Sequence, residues 1–172
     1  MHWLDKVDGI TAVVLDIDGV MTNGRIGYTE TGTIKFFDAG DGHAIKMAMR
    51  AGLKVGTLSG RADPASRIRC EELGMSFIFL GEKDKNAAFD RLLCENDLTA
   101  EQCLYVGDDV VDIPVLRRAG VGLCVANAAE EVIEFCDGQT VRHGGEGAVR
   151  EIITSLLKKQ GHWQRLMERY VG

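Results

Sequence analysis

The chain has 172 residues, 45% of them hydrophobic and 27% charged, proportions that require a folded core and exclude disordered and fibrous classes. The formal net charge of −6 argues against a duplex nucleic-acid partner or an anionic membrane surface, because both need a basic footprint. A small anionic substrate stays open, since a few local cations outweigh an average field.

The start, Met1-His2-Trp3-Leu4-Asp5-Lys6, lacks the basic-then-apolar pattern of a secretory signal, and no apolar run is long enough to span a membrane. The five cysteines form no Cys-x-x-Cys pair and read as small buried thiols of a reducing compartment. A cytoplasmic protein without a membrane or nucleic-acid partner is therefore expected.

Short apolar runs alternate with helical periodicity along the chain. Ala12-Val13-Val14-Leu15 reads as a buried parallel strand running into Asp16. Residues 25–28 and 33–37, joined by Thr29-Glu30-Thr31-Gly32, read as a β-hairpin within an insertion spanning about residues 24–38. Its Ile26, Tyr28, Ile34 and Phe36 need cover, which other copies of the chain would supply. Further strands are expected at 53–58, 77–80, 104–106 and 121–125, and helices at 44–51, 64–73, 86–96 and 113–119. Gly52, Gly74 and Gly120 supply stop signals. The tail, about residues 147–172, reads as an amphipathic helix and a second short piece parted by Gly161. This order predicts an α/β fold, a Rossmann-like doubly wound parallel sheet, within one domain spanning residues 1–172 and with no large cap domain.

In such a sheet, ligands gather beyond the carboxyl ends of the strands. Four strand ends carry polar residues there: Asp16-Ile17-Asp18, Ser59-Gly60-Arg61, Lys83-Asp84-Lys85 and Gly107-Asp108-Asp109 with Asp112. Each alone has an ordinary explanation, as a turn, a helix cap or a solvated lysine. Together, paired carboxylates leaving a buried strand need a cation between them, and magnesium suits carboxylate, water and phosphate oxygens. The set predicts phosphoryl transfer, with Asp16 attacking phosphorus and Asp18 protonating the leaving oxygen. Ser59 would bind phosphoryl oxygens, and Lys85 would supply fixed positive charge.

These motifs, in this order, resemble the haloacid dehalogenase superfamily of aspartate-nucleophile phosphatases. Within it, the chain resembles the phosphatases of 3-deoxy-D-manno-octulosonate 8-phosphate (KDO 8-phosphate). The likeness runs from about residue 7 to about 160 and is most specific at residues 16–25, Asp41-Gly42 with Ile45, Ser59-Gly60-Arg61, Arg69, Asp84-Lys85 and residues 144–151. It implies a magnesium site held by Asp16, Asp108 and the Asp18 carbonyl, with Asp109 and Asp112 supporting from behind. It also implies substrate contacts from Thr22, Asp41, Gly42, Lys46, Gly60, Arg61, Arg69 and Arg142. A homotetramer is implied, its hairpins associated and each site closed by neighbours, in part through the Gly-rich segment 142–145. The chain departs from the family at residues 38–42, where Asn-x-Arg-Asp-Gly is common, and at Lys46, where an Arg is usual. Relatives acting on nine-carbon keto-sugar 9-phosphates resemble one another in having Glu at the position of Arg61, so the eight-carbon acid is the expected substrate. The alternatives are a nine-carbon phosphatase and a non-catalytic tetramerisation module like that of sialate cytidylyltransferases. The second fits poorly with five intact site residues.

Overall fold

The computed structural model describes residues 3–171; Met1 and His2 of the start and Gly172 of the tail lie outside the described residues. Strands β1 (Ala12–Leu15), β4 (Lys54–Ser59), β5 (Phe77–Leu80), β6 (Cys103–Gly107), β7 (Val121–Cys124) and β8 (Gly138–Gln139) form one parallel sheet in the order β5-β4-β1-β6-β7-β8. Strands β2 (Gly27–Thr29) and β3 (Gly32–Ile34) form a separate antiparallel hairpin.

β1 is central and buried on both faces, which explains its continuous apolar run. Its Val13 and Leu15 face a core shared with helices α1 (Ala39–Ala51), α2 (Pro64–Leu73) and α6 (Ala148–Lys159). Ala12 and Val14 face a second core, built with α3 (Lys85–Asn96), α4 (Ile113–Leu116) and α5 (Glu130–Ile133). Both faces of the sheet are thus covered by helices, as the alternation of elements requires.

Aspartates begin three of these helices. The side chains of Asp38, Asp63 and Asp84 accept from the backbone N–H groups of Asp41, Ser66 and Ala87. The Asp38 cap starts α1 at Ala39, five residues before the start expected from periodicity. Conversely, the hairpin strands are shorter than expected, and α4 ends at Leu116 rather than Ala119. The single turn α5 and the two-residue edge strand β8 carry too little periodicity to be foreseen. Gly161 parts α6 from α7 (Trp163–Val171), whose Trp163, Leu166 and Met167 pack against the chain's own core. Tyr28 and Phe36 of the hairpin region are three-quarters exposed. Among the described residues, no helix is long and apolar enough to cross a membrane.

Candidate active site

After β1 the chain builds outward through β4 to β5, then crosses back to place β6 on β1's other side. The β1/β6 crevice is therefore the topological switch point, where open parallel sheets bind ligands. Asp16 leaves β1 there, its N–H still bonded to the Val106 carbonyl at 3.0 Å, and Asp108 leaves β6 beside it. A cavity of about 250 Å³ opens above them, lined by Asp16, Asp18, Ser59, Gly60, Arg61, Lys83, Lys85, Asp108, Asp109 and Val111. Four separate strand ends have converged, as the motif order predicts.

Buried Lys85, at the first position of α3, organises the cavity floor. Its ammonium lies 3.1 Å from Asp16 and donates to Asp112 Oδ1 at 2.6 Å. The Tyr105 hydroxyl donates to the same Asp112 oxygen at 2.5 Å, while Oδ2 accepts from the Asp108 and Asp109 N–H groups at 2.9 and 3.2 Å. Asp112, wholly buried, has both oxygens engaged and braces the Asp108 turn from behind. Asp109 caps the following turn through the Val110 N–H at 2.7 Å.

Carboxylate oxygens of Asp16, Asp108 and Asp112 lie within 4.8 Å of one another. Burial pushes the Asp16 carboxyl up to about 6, although Lys85 pulls against the rise. Burial and then the Asp16 charge push Asp108 up to about 8. Burial also opposes the Lys85 charge, but Asp16 and Asp112 outweigh it and hold the ammonium above its ordinary value. One ammonium among three crowded carboxylates leaves negative charge that a hard cation would neutralise. With Asp112 engaged elsewhere, Asp16 and Asp108 are the carboxylates able to hold such an ion.

Glycines let the loops approach. Gly19, at φ +94°, lies so close to Asp108 that an added Cβ would come within 1.9 Å of its carboxylate. Gly144 packs on the same loop: a Cβ there would lie 1.6 Å from the Gly19 carbonyl oxygen, and Gly145 N–H donates to the Val20 carbonyl. The Gly-rich segment thus buttresses its own chain's Asp16–Thr22 loop. Gly144→Ala should therefore destabilise the fold by about 2–3 kcal/mol, since backbone cannot yield as a side chain can. Thermal unfolding measures this, and an unchanged midpoint would remove the buttress from the account.

Of the residues expected at the substrate, only Gly60 and Arg61 line this cavity. Thr22 is wholly buried, and its hydroxyl knits the loop, donating to the Ile17 carbonyl and accepting from Gly19 and Gly24 N–H groups. Asp41 is buried too, its carboxyl pushed up to about 6 by burial while it accepts from the Arg150 N–H at 2.7 Å and so caps α6. Gly42 lies beneath the Arg69 guanidinium, which donates to Glu72 and to the Asp38 carbonyl. Lys46 lines a different cavity, with His43, Arg50 and Tyr170. Arg142 is exposed beside Gly147. Within one chain these six shape elements around the site or face away from it.

Conversely, Lys35, Tyr105 and Val111 were not foreseen, and Lys83 was read only as part of a polar strand end, without a role. Lys83 donates to the Gly60 carbonyl at 3.0 Å and adds a cation to the cavity's lip. Lys35 is completely buried and lies 2.7 Å from Asp18, whose other oxygen Arg61 meets at 3.2 Å. The alternation of Thr33, Lys35 and Phe37 against Ile34 and Phe36 was the signal that Lys35 points inward.

A switch point carrying Asp-x-Asp, a facing buried lysine and a second acidic strand end defines a hydrolase of the haloacid dehalogenase class. A family model described as haloacid dehalogenase-like hydrolase matches residues 71–153. The 3-deoxy-D-manno-octulosonate 8-phosphate phosphatase KdsC of Haemophilus influenzae is 41% identical over 91% of this chain and 87% of its own length. The cobalt-bound structure of that organism's enzyme superposes with a TM-score of 0.87, covering 91% of this chain and 92% of the other at 41% identity. The phosphatase of the same name from Moraxella catarrhalis, solved with magnesium, phosphate and KDO, has a TM-score of 0.93 at 31% identity, covering 98% and 97%. The chain belongs to the haloacid dehalogenase-like hydrolases, in the branch of the KDO 8-phosphate phosphatases, and is a phosphoric monoester hydrolase.

Proposed function

We propose that this chain is a magnesium-dependent phosphatase that hydrolyses KDO 8-phosphate to KDO and inorganic phosphate through an aspartyl phosphate on Asp16. The observation that carries this reading is the convergence of Asp16, Asp18, Ser59, Lys85 and Asp108 on one cavity at the sheet's switch point. The Haemophilus and Moraxella phosphatases support the choice of substrate and metal.

Asp16 and Asp108, with the Asp18 carbonyl, would hold the magnesium ion, which supplies positive charge beside the phosphoryl oxygens. An Asp16 oxygen attacks phosphorus, the bond to the sugar oxygen breaks, and Asp18 delivers a proton to that oxygen. Asp18 then takes a proton from the water that attacks the aspartyl phosphate, releasing phosphate and restoring Asp16. Lys85 and the Ser59 hydroxyl hold the phosphoryl oxygens throughout. Arg61, on the exposed lip, pairs bidentately with the sugar's carboxylate.

One domain spanning residues 1–172 carries this chemistry in the cytoplasm. The exposed Tyr28, Ile34 and Phe36 associate the hairpins in a homotetramer. A phosphate-release screen over eight- and nine-carbon keto-sugar phosphates and neutral hexose phosphates tests the substrate. KDO 8-phosphate should be preferred, and Arg61→Glu should lower its kcat/KM by about 10²-fold. Preference for a neutral hexose phosphate would overturn the role given to Arg61.

A further inference from the structure

The hairpin delivers one buried charge into the site. Lys35, in the segment leaving β3, has no exposed side-chain surface, a costly placement for an ammonium unless it is fully paired. Two of its partners belong to the start of α2: it donates to Asp63 Oδ2 at 2.6 Å and to Ser66 Oγ at 3.0 Å. Asp63 is itself pinned, accepting from the Ser66 N–H at 3.0 Å and the Ser66 hydroxyl at 2.7 Å. Burial pushes the Asp63 carboxyl up, but Lys35 and Ser66 outweigh it and hold it below the ordinary carboxylate range, so it remains a fixed anion. These contacts already bind the hairpin to α2. The third, at 2.7 Å to Asp18 Oδ1, adds nothing to that adhesion and reaches into the cavity.

Asp18 therefore sits between two unlike cations. Arg61 meets Oδ2 from the exposed lip, with its side chain about half exposed, and a carboxylate-bearing substrate can draw it away. Lys35 meets Oδ1 from inside the fold and is fixed at its other contacts. We propose that Lys35 is a positioning residue: it anchors one oxygen of Asp18 so that the other is presented to the leaving oxygen of the substrate. This rests on the reading of Asp18 as the proton donor. It makes the hairpin part of the catalytic apparatus as well as a surface for association.

Leaving-group dependence tests it, because a nitrophenolate departs without the proton that a sugar alkoxide needs. In folded Lys35→Met, kcat/KM for KDO 8-phosphate should fall by roughly 10–100-fold, while that for p-nitrophenyl phosphate should change by less than about threefold. Using kcat/KM confines the comparison to steps through leaving-group departure. Equal losses on both esters, or no loss on the sugar ester, would overturn the inference while leaving the functional reading intact. A wild-type protein that hydrolyses neither ester overturns that reading, and the inference with it. If Lys35→Met does not fold, Asp63→Asn keeps the helix cap and the lysine but loosens its anchor. A loss confined to the sugar ester then supports the proposal, and an equal loss or none overturns it.

Discussion

Asp16→Asn should abolish phosphate release, lowering kcat by at least about 10⁴-fold, while leaving the fold intact. The amide cannot attack phosphorus, and two neighbouring carboxylates are already engaged: Asp18 by Lys35 and Arg61, and Asp112 by Lys85 and Tyr105. Stability should not fall with activity. Asp16 is buried beside two other carboxylates, and burial already pushes its proton affinity up to about 6, so a neutral isostere relieves repulsion at neutral pH. Lys85 loses one partner but keeps Asp112 at 2.6 Å. Paired measurements of phosphate release and thermal unfolding at neutral pH separate the two effects. Normal turnover by Asp16→Asn would remove the aspartyl phosphate from the mechanism, and an unfolded variant would show that the carboxylate also holds the fold.

How much of this was legible in the sequence depends on whether a signal is local. β1 and its exit into Asp16 were readable because a strand buried on both faces must be continuously apolar and must end in polar residues where a ligand sits. Ser59, Lys85 and Asp108 were readable for the same reason, each standing at a strand end in the expected order. Contacts between distant segments were not. Asp41 matches a substrate-contacting family position, yet its oxygen caps α6 through Arg150, 109 residues away. Thr22 likewise matches such a position, but it is the hub of its own loop. Lys35 presents the opposite case. Strand alternation turned it inward, but only the fold shows that Asp63 and Asp18 wait there. The resemblance located the chemistry, and packing decided which matching residues reach it from within one chain.

Stripped of divalent cations, the protein should lose stability as pH rises from about 4 to about 8, and magnesium should restore most of the loss. Asp16 is pushed up to about 6 and Asp108 to about 8, both from an unfolded value of 3.8, with burial the leading cause in each. The folded state therefore binds these protons more tightly than the unfolded state does. Their contribution is fully present below about 4 and is lost as pH passes first through about 6 and then through about 8. At about 1.4 kcal/mol per pH unit, the rises from 3.8 to about 6 and from 3.8 to about 8 bound the loss at about 9 kcal/mol. Asp63 runs the other way: its lowered value contributes stability above the unfolded pKa that is lost as pH falls through the folded one, so the descent should be followed from about 5 upward. Magnesium stabilises the folded state by binding it in preference to the unfolded chain, most strongly where both carboxylates are ionised. Asp108→Asn separates this from a general alkaline effect. The variant should flatten the metal-free curve between about 6 and 8, respond weakly to magnesium, and release little phosphate. Asp41, also pushed up to about 6 but engaged with α6, leaves a residual slope at lower pH that magnesium does not erase. Urea unfolding across this range, with EDTA and with magnesium, measures each part. Equal metal-free stability at pH 5 and 8 would show that Asp16 and Asp108 do not carry the uncompensated charge on which the metal site depends.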